Sequence, residues 1–90
     1  MDPIIVDVRT EREFKTMKIK GAHNIPLKKI HEVEKIDGAY ERPIYVYSDT
    51  GSQSEIAKNR LKTMGFDAHN IGSIHQHLEK QEKKSEQVGN

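Results

Sequence analysis

The sequence predicts an α/β fold, a small parallel β-sheet flanked by helices, and three observations carry that prediction. Short runs rich in β-formers recur at residues 4–8 and 43–47, each of the length of a strand buried on both faces. Between and after them lie segments whose apolar residues repeat every three to four positions, as on a helix packed by one face. Turn signals at Gly21, Asp37-Gly38 and Gly65 separate the two kinds of segment. Strand and helix alternating through one short chain imply βαβ units on a parallel sheet.

The first run, Ile4 to Val8, is apolar apart from Asp7. Thr10 followed by Glu13 is a capping-box pattern, so a helix is expected to start there, with Phe14 and Met17 inward and Gly21 as its end. Ala22 to Ile25 reads as a short strand. Leu27, Ile30, Val33 and Ile36 then keep helical spacing up to Asp37-Gly38. Pro43 to Tyr47 is the second clear strand; Tyr45 and Tyr47 share one of its faces, packed under a helix with their hydroxyls reaching the edge. The next helix is expected from Gly51 or Ser52 to Met64, burying Ala57, Leu61 and Met64, with Gly65 as its stop. Phe66 to Ile71 reads as the third strand, and Ile74 and Leu78 begin a last helix. Residues 79–90 carry charge without apolar spacing, so the domain is expected over 1–78 and a frayed tail over 79–90.

Ninety residues allow one small domain, and a chain of this size buries only roughly 60 to 65% of its unfolded surface. The net charge of +1, with both signs interspersed, leaves no basic face and argues against nucleic acid as the main ligand. No stretch approaches the roughly 18 apolar residues of a membrane span. Met1-Asp2-Pro3 opens a polar start unlike a signal peptide, so the cytoplasm is the expected location; a monomer is the expected state. The chain has no cysteine, which excludes a disulfide, a thiolate metal site and a persulfide.

Most of the functional information lies in Tyr45-Val46-Tyr47-Ser48-Asp49-Thr50-Gly51-Ser52-Gln53-Ser54, where an apolar strand runs into a small polar loop that opens a helix. Backbone N–H groups of such a loop point into one concavity, and the helix dipole adds positive potential there. Ser48, Asp49, Thr50, Gly51, Ser52, Gln53 and Ser54 are therefore the candidate anion-binding loop. Ser48 as a nucleophile would need an adjacent base near neutral pH. Asp49 is the one candidate, and its charge also repels an anionic substrate. His75 and His77, the closest pair of the five histidines, point to different faces of a helix, so no metal site is expected, nor any cofactor. Gly51-Ser52 lacks the lysine of a phosphate-binding loop, and Gly51-Ser52-Gln53 is not a G-x-S-x-G elbow.

Ile4-Ile5-Val6-Asp7-Val8-Arg9, then Glu13-Phe14, then Ile19-Lys20-Gly21-Ala22-His23-Asn24-Ile25-Pro26 resemble the opening of a rhodanese-like domain, which reads as apolar-D-V-R, E-E-F, H-I-x-G-A-x-N-I-P. Pro43 to Ser48, with Gly51 three residues on, is similar to that family's strand and active-site loop C-x-x-G-x-R. Lys62-Thr63-Met64-Gly65-Phe66 resembles the L-x-x-x-G-F that closes the next helix, so the match runs from about residue 4 to 77. The resemblance implies a thiosulfate or persulfide sulfurtransferase, in which a cysteine thiolate in the cradle carries the sulfur. It also implies that Asp7 and Arg9 lie close to the loop, as an ion pair or capping contact that supports the site. Most relatives open one strand and one helix earlier than this chain.

The departures fall on the site. Ser48 stands at the family's cysteine and Gln53 at its loop arginine; Lys18 replaces a histidine, Ser73 the second glycine of G-G-I, and His77 a tryptophan. Ser48 to Gln53 is six residues, the sulfurtransferase loop length, whereas the related phosphatases have one more; read as seven, the loop ends at Ser54 and still lacks a cation. The expected function is a non-catalytic rhodanese-like domain in a binding or regulatory role, with a vestigial loop that holds a thiosulfate-like anion weakly and a protein partner the sequence does not name. Two alternatives stand beside it: a thiosulfate or persulfide sulfurtransferase whose catalytic Cys was replaced by Ser48, and a phosphatase-like anion-binding module. Departure at several site positions together favours the first reading.

Overall fold

Ile4 and Val6 stand in register with Ile44 and Val46, and all four side chains are buried. They form the centre of a four-stranded parallel sheet in the computed structural model, which describes residues 2–78. Its strands are β1 (Ile4–Asp7), β2 (His23–Asn24), β3 (Ile44–Ser48) and β4 (Ala68–Ser73), in the order β2-β1-β3-β4. The helices are α1 (Glu11–Thr16) and α2 (Ser52–Thr63), with a 3₁₀ segment over Leu27–Lys35 and a helical turn over residues 74–78. The tail expected over 79–90 lies outside the described residues.

The central strands are apolar at consecutive positions because both faces are covered. On one face Ile4, Val6, Ile44 and Val46 meet Ala57 and Leu61 of α2 and Ile30 and Val33 of the 3₁₀ segment. On the other, Tyr47 packs with Ile19 and Ile74, and Ile5, Met17 and Ile71 join them half-buried. Tyr45, on the same face as Tyr47, is half-buried and meets the ring of His69 edge-on at 5.5 Å.

Several elements differ from those expected; β1 stops at Asp7, one residue short of Val8, and β2 keeps only His23–Asn24 of the expected Ala22 to Ile25. Helix α1 starts at the Thr10 capping box, with Glu13 N–H bonded to Thr10 Oγ1 and Thr10 N–H to Glu13 Oε1, but it ends at Thr16 and not at Gly21. Met17 is extended, at φ −159°. Arg9 Nη2 holds the Met17 carbonyl, and Ile19 N–H donates to the Tyr47 hydroxyl at 3.2 Å, so the chain is drawn onto the sheet before another turn can form. Leu27, Ile30 and Val33 lie in a 3₁₀ segment broken at Lys29, with Ile36 as its extended C-terminal cap, consistent with the strict three-residue repeat of these four residues, which is the 3₁₀ period.

β3 starts at Ile44 and runs one residue further than expected, making Ser48 its last member. β4 is displaced two residues from the expected Phe66 to Ile71, because Phe66 N–H bonds to the Leu61 carbonyl and closes α2. Its ladder with β3 skips a residue: Val46 pairs with Asn70 and Tyr47 with Gly72, so Ile71 is a bulge and Gly72 adopts φ +95°. No helix among the described residues is long and apolar enough to cross a membrane.

Leu61 is fully buried between α2 and the sheet. Leu61→Ala should lower the unfolding free energy by about 2–5 kcal/mol, and Lys62→Ala on the exposed face by no more than about 0.5 kcal/mol. Urea denaturation checks this, and equal midpoints for the two variants would mean that this face of α2 is not in the core.

Candidate functional site

Three residues, Asp49, Thr50 and Gly51, connect β3 to α2. Gly51 caps the helix at φ +91°, in the left-handed region where a side chain is strained, and this conformation turns its N–H inward. Ser48, 1% exposed, lies at the floor of the loop. Its Oγ accepts from Gly51 N–H at 3.1 Å and from Ser54 N–H at 3.2 Å.

The hydroxyl proton of Ser48 leads away from the concavity. It is donated to Ser54 Oγ at 3.0 Å, and Ser54 in turn donates to Asn70 Oδ1 at 2.7 Å. The Asn70 amide donates to the Gly51 carbonyl and to Glu55 Oε1, each at 3.1 Å, while its oxygen also takes Gly72 N–H at 2.9 Å. The relay therefore ends on a neutral amide, which cannot take a proton from serine. With these contacts, among the described residues every buried side-chain polar atom has a partner.

Asp7 and Arg9 meet beside the loop. Asp7 is fully buried, and Arg9 donates to its carboxylate from the backbone N–H at 2.9 Å, from Nε at 3.1 and 3.2 Å, and from Nη2 at 2.8 Å. Burial disfavours the guanidinium charge, but the Asp7 and Asp49 carboxylates outweigh it and hold Arg9 above the ordinary arginine range. The remaining Nη1 reaches Asp49 Oδ1 at 3.5 Å. Asn24 Nδ2 braces the corner by donating to the Asp7 and Arg9 carbonyls at 3.2 and 3.0 Å. Arg9 thus brings its charge to two carboxylates and the Met17 carbonyl.

Asp49 turns its side chain toward Arg9 and Glu13, not toward the Ser48 hydroxyl, whose proton goes to Ser54. Hydrogen bonding to Glu13, desolvation and the like charge of Glu13 raise the Asp49 carboxyl above its usual range. The same hydrogen bond, with those from Thr10, lowers Glu13. Thr50 is exposed and accepts from Ser52 N–H at 3.4 Å. Gln53 is exposed on the first turn of α2, beside a cleft of about 340 Å³ that it shares with Thr10, Leu27, Lys28 and Arg60. Burial raises the Tyr47 hydroxyl well above its ordinary value, so it holds its proton and accepts from Ile19 N–H.

Three contributors are absent from the loop's own sequence: Asn70, Glu13 and Ser73. Ser73 donates to the Asp49 carbonyl at 2.7 Å, accepts from His75 N–H at 3.1 Å, and its own N–H bonds to Gln76 Oε1 at 3.3 Å. The Ser73-to-Gln76 spacing is a capping-box signal that reveals this helix start. Asn70 carries no such signal, because the bulge in β4 sets its place. His77 donates from Nε2 to the Ile71 carbonyl at 2.9 Å, and Lys18 lies over the Phe14 ring at 4.8 Å.

The model of the rhodanese-like domain family matches residues 1–84. The chain is 31% identical over 65 residues to the adenylyltransferase and sulfurtransferase uba4 of Ogataea parapolymorpha, covering 72% of this chain and 17% of that protein. It is 35% identical over 72 residues to the protein of the same description from Meyerozyma guilliermondii, with the same coverage. The chain therefore spans about a sixth of the length of these curated relatives. Among solved structures it is similar to a rhodanese with anions from E. coli, with a TM-score of 0.77 and 29% identity, covering 82% of this chain and 89% of that one.

The Asp49–Glu13 contact generates a pH prediction. A raised acid contributes stability that is complete below its unfolded pKa, near 3.8 for Asp49, and is lost as pH rises through the folded pKa. The lowered Glu13 contributes in the opposite sense, completely above about 4.5 and lost as pH falls through its folded pKa. A carboxyl-detected NMR titration should show Asp49 protonating above, and Glu13 below, their ordinary ranges. In Asp49→Ala the Glu13 carboxyl should move back toward 4.5; an unmoved Glu13 would mean that the two groups are not in contact.

Proposed function

As this chain belongs to the rhodanese-like domain family, we propose that it is a non-catalytic member, a binding or regulatory domain whose Ser48 loop holds small anions weakly. The observation that carries this reading is the Ser48 hydroxyl. It accepts from two inward N–H groups and passes its proton to Ser54, with no base in the relay. Sulfur transfer needs a thiolate that takes up sulfane sulfur and keeps it as a persulfide. An oxygen at that place has no sulfur chemistry to offer.

Charge supports the weakness of the anion site. The loop has no cation at Gln53, Arg9 is bound to Asp7, and Asp49 adds a carboxylate at the rim. The amides of Gly51, Ser52 and Ser54 already donate to Ser48 and Thr50, so what favours an anion is the dipole of α2 and the Gln53 N–H of its first turn. The anions named with the E. coli rhodanese support an anion-holding role on this fold. The description of the two fungal relatives as sulfurtransferases supports descent from a domain that carried sulfur.

The parent chain should release no thiocyanate from thiosulfate and cyanide above buffer. Ser48→Cys alone should restore at most a trace, and Ser48→Cys with Asp49→Arg and Gln53→Arg should do better by about tenfold or more, because positive charge lowers a thiol pKa. Full activity from the single reversion would return the chain to the sulfurtransferases. In an amide-shift titration, thiosulfate should move residues 48–54 with half-saturation at about 1 mM or weaker. No shift beyond the ionic-strength control would exclude the anion site.

A further inference from the structure

Gln53, Ile56, Arg60 and Thr63 recur every three to four residues along α2 and so share one stripe of the helix. That stripe faces the 3₁₀ segment across two adjoining clefts, of about 340 Å³ nearer the Ser48 loop and about 570 Å³ further along, which have Lys28 and Arg60 in common. The floor is apolar. Leu27 and Met64 are half-buried against the core, Ile30 is buried, and Ile56 is left 46% exposed, one of two large apolar side chains among the described residues with that much open surface.

The walls are basic. Lys28 and Arg60 supply the charge, His31 adds a polar ring, and among the described residues no carboxylate lines the clefts. Lys15 and Lys58 are paired with Glu11 and Glu55, whereas Lys28 and Arg60, like several other surface cations, enter no ion pair among the described residues and keep their charge available to a ligand. In a chain whose net charge is only +1, this groove is a local excess of positive charge over an exposed apolar strip. Such a surface favours a ligand that offers both carboxylates and an apolar side chain. A second copy of the chain would set like charges face to face if the same groove met itself, and a nucleic acid would leave the apolar floor without a partner.

We propose that this groove docks an acidic segment of a partner protein, with one apolar side chain seated over Ile56 and Met64 and flanking carboxylates on Lys28 and Arg60. The inference rests on the binding role proposed above and names the chemistry of the partner. It does not depend on the anion loop, which shares only Gln53 with the groove.

An acetylated and amidated octapeptide, Glu-Glu-Leu-Glu-Glu-Leu-Glu-Glu, tests it by amide shifts, beside controls with every Glu replaced by Lys and with both Leu replaced by Gly. The acidic leucine peptide should move residues 28–31 and 56–64. Arg60→Glu should weaken it about tenfold and admit the lysine peptide instead, and Ile56→Ser should weaken it about threefold or more. Both sites are on the surface, and an unchanged urea midpoint confirms that each variant folds. Equal binding of the lysine or glycine peptide, or shifts confined to 48–54, would overturn the groove. Shifts at 28–31 and 56–64 that follow protein concentration without peptide would assign it to a second copy and overturn the proposal. Loss of the thiosulfate response at 48–54, with peptide binding kept, would count against the anion loop alone.

Discussion

The buried pair of Asp7 and Arg9 is the interaction on which the corner of this domain depends. Removing two charges from water costs several kcal/mol per ion, so such a pair persists only when its geometry is good and its remaining donors are satisfied. Both conditions hold: the carboxylate takes donors from the Arg9 backbone, Nε and Nη2, and the guanidinium goes on to the Met17 carbonyl and Asp49. The Arg9 side chain thereby fixes where α1 stops and which way the first loop residue turns, while the backbone carbonyls of Asp7 and Arg9 anchor Asn24 of β2. Removing either partner would strand the other charge in the interior.

That arrangement has a consequence for chemistry. The cation nearest the loop is committed to two carboxylates, and the position where a loop arginine would stand is a glutamine facing a cleft. Ser48 occupies the floor of the loop as an acceptor of two N–H groups and a donor to Ser54, a stable end state for a hydroxyl that nothing around it deprotonates. The polar network from Ser48 to Asn70 is fully partnered, and such networks make a loop rigid. A rigid loop of this kind supports the binding role proposed for it, in keeping with the principle that one fold hosts several functions.

The two surfaces of interest share α2. Its N-terminal end contributes the dipole and amides of the Ser48 loop, and its outer stripe from Gln53 to Thr63 forms one wall of the basic groove. Leu61 and Ala57, on the inner face of the same helix, hold it against the sheet. The helix therefore acts as a rigid strut between the two regions, and a ligand in the groove would lie within reach of Gln53.

The sheet was legible in the residues because strands buried on both faces must be largely apolar, as Ile4 to Val8 is apart from Asp7 and as Ile44 to Tyr47 is. The start of α1 was legible because Thr10 and Glu13 form a capping box within four residues. The loop itself, Ser48 to Ser54, was legible as a strand running into a helix through small polar residues. All of these are local signals, carried by neighbours in the chain. The 3₁₀ character of Leu27–Lys35 was written in its strict three-residue repeat, yet it reads equally as loose α-helical spacing until packing selects one period. What only the tertiary structure decided is long-range: the end of α1 at Thr16, the turning of Asp49 toward Arg9 and Glu13, and the capture of the Ser54 proton by Asn70. Each depends on groups far apart in sequence, and the last on a one-residue bulge in β4. A hydrogen bond between residues sixteen apart leaves no periodic trace in the chain, because its direction is set by how the strands register and not by the identity of either neighbour.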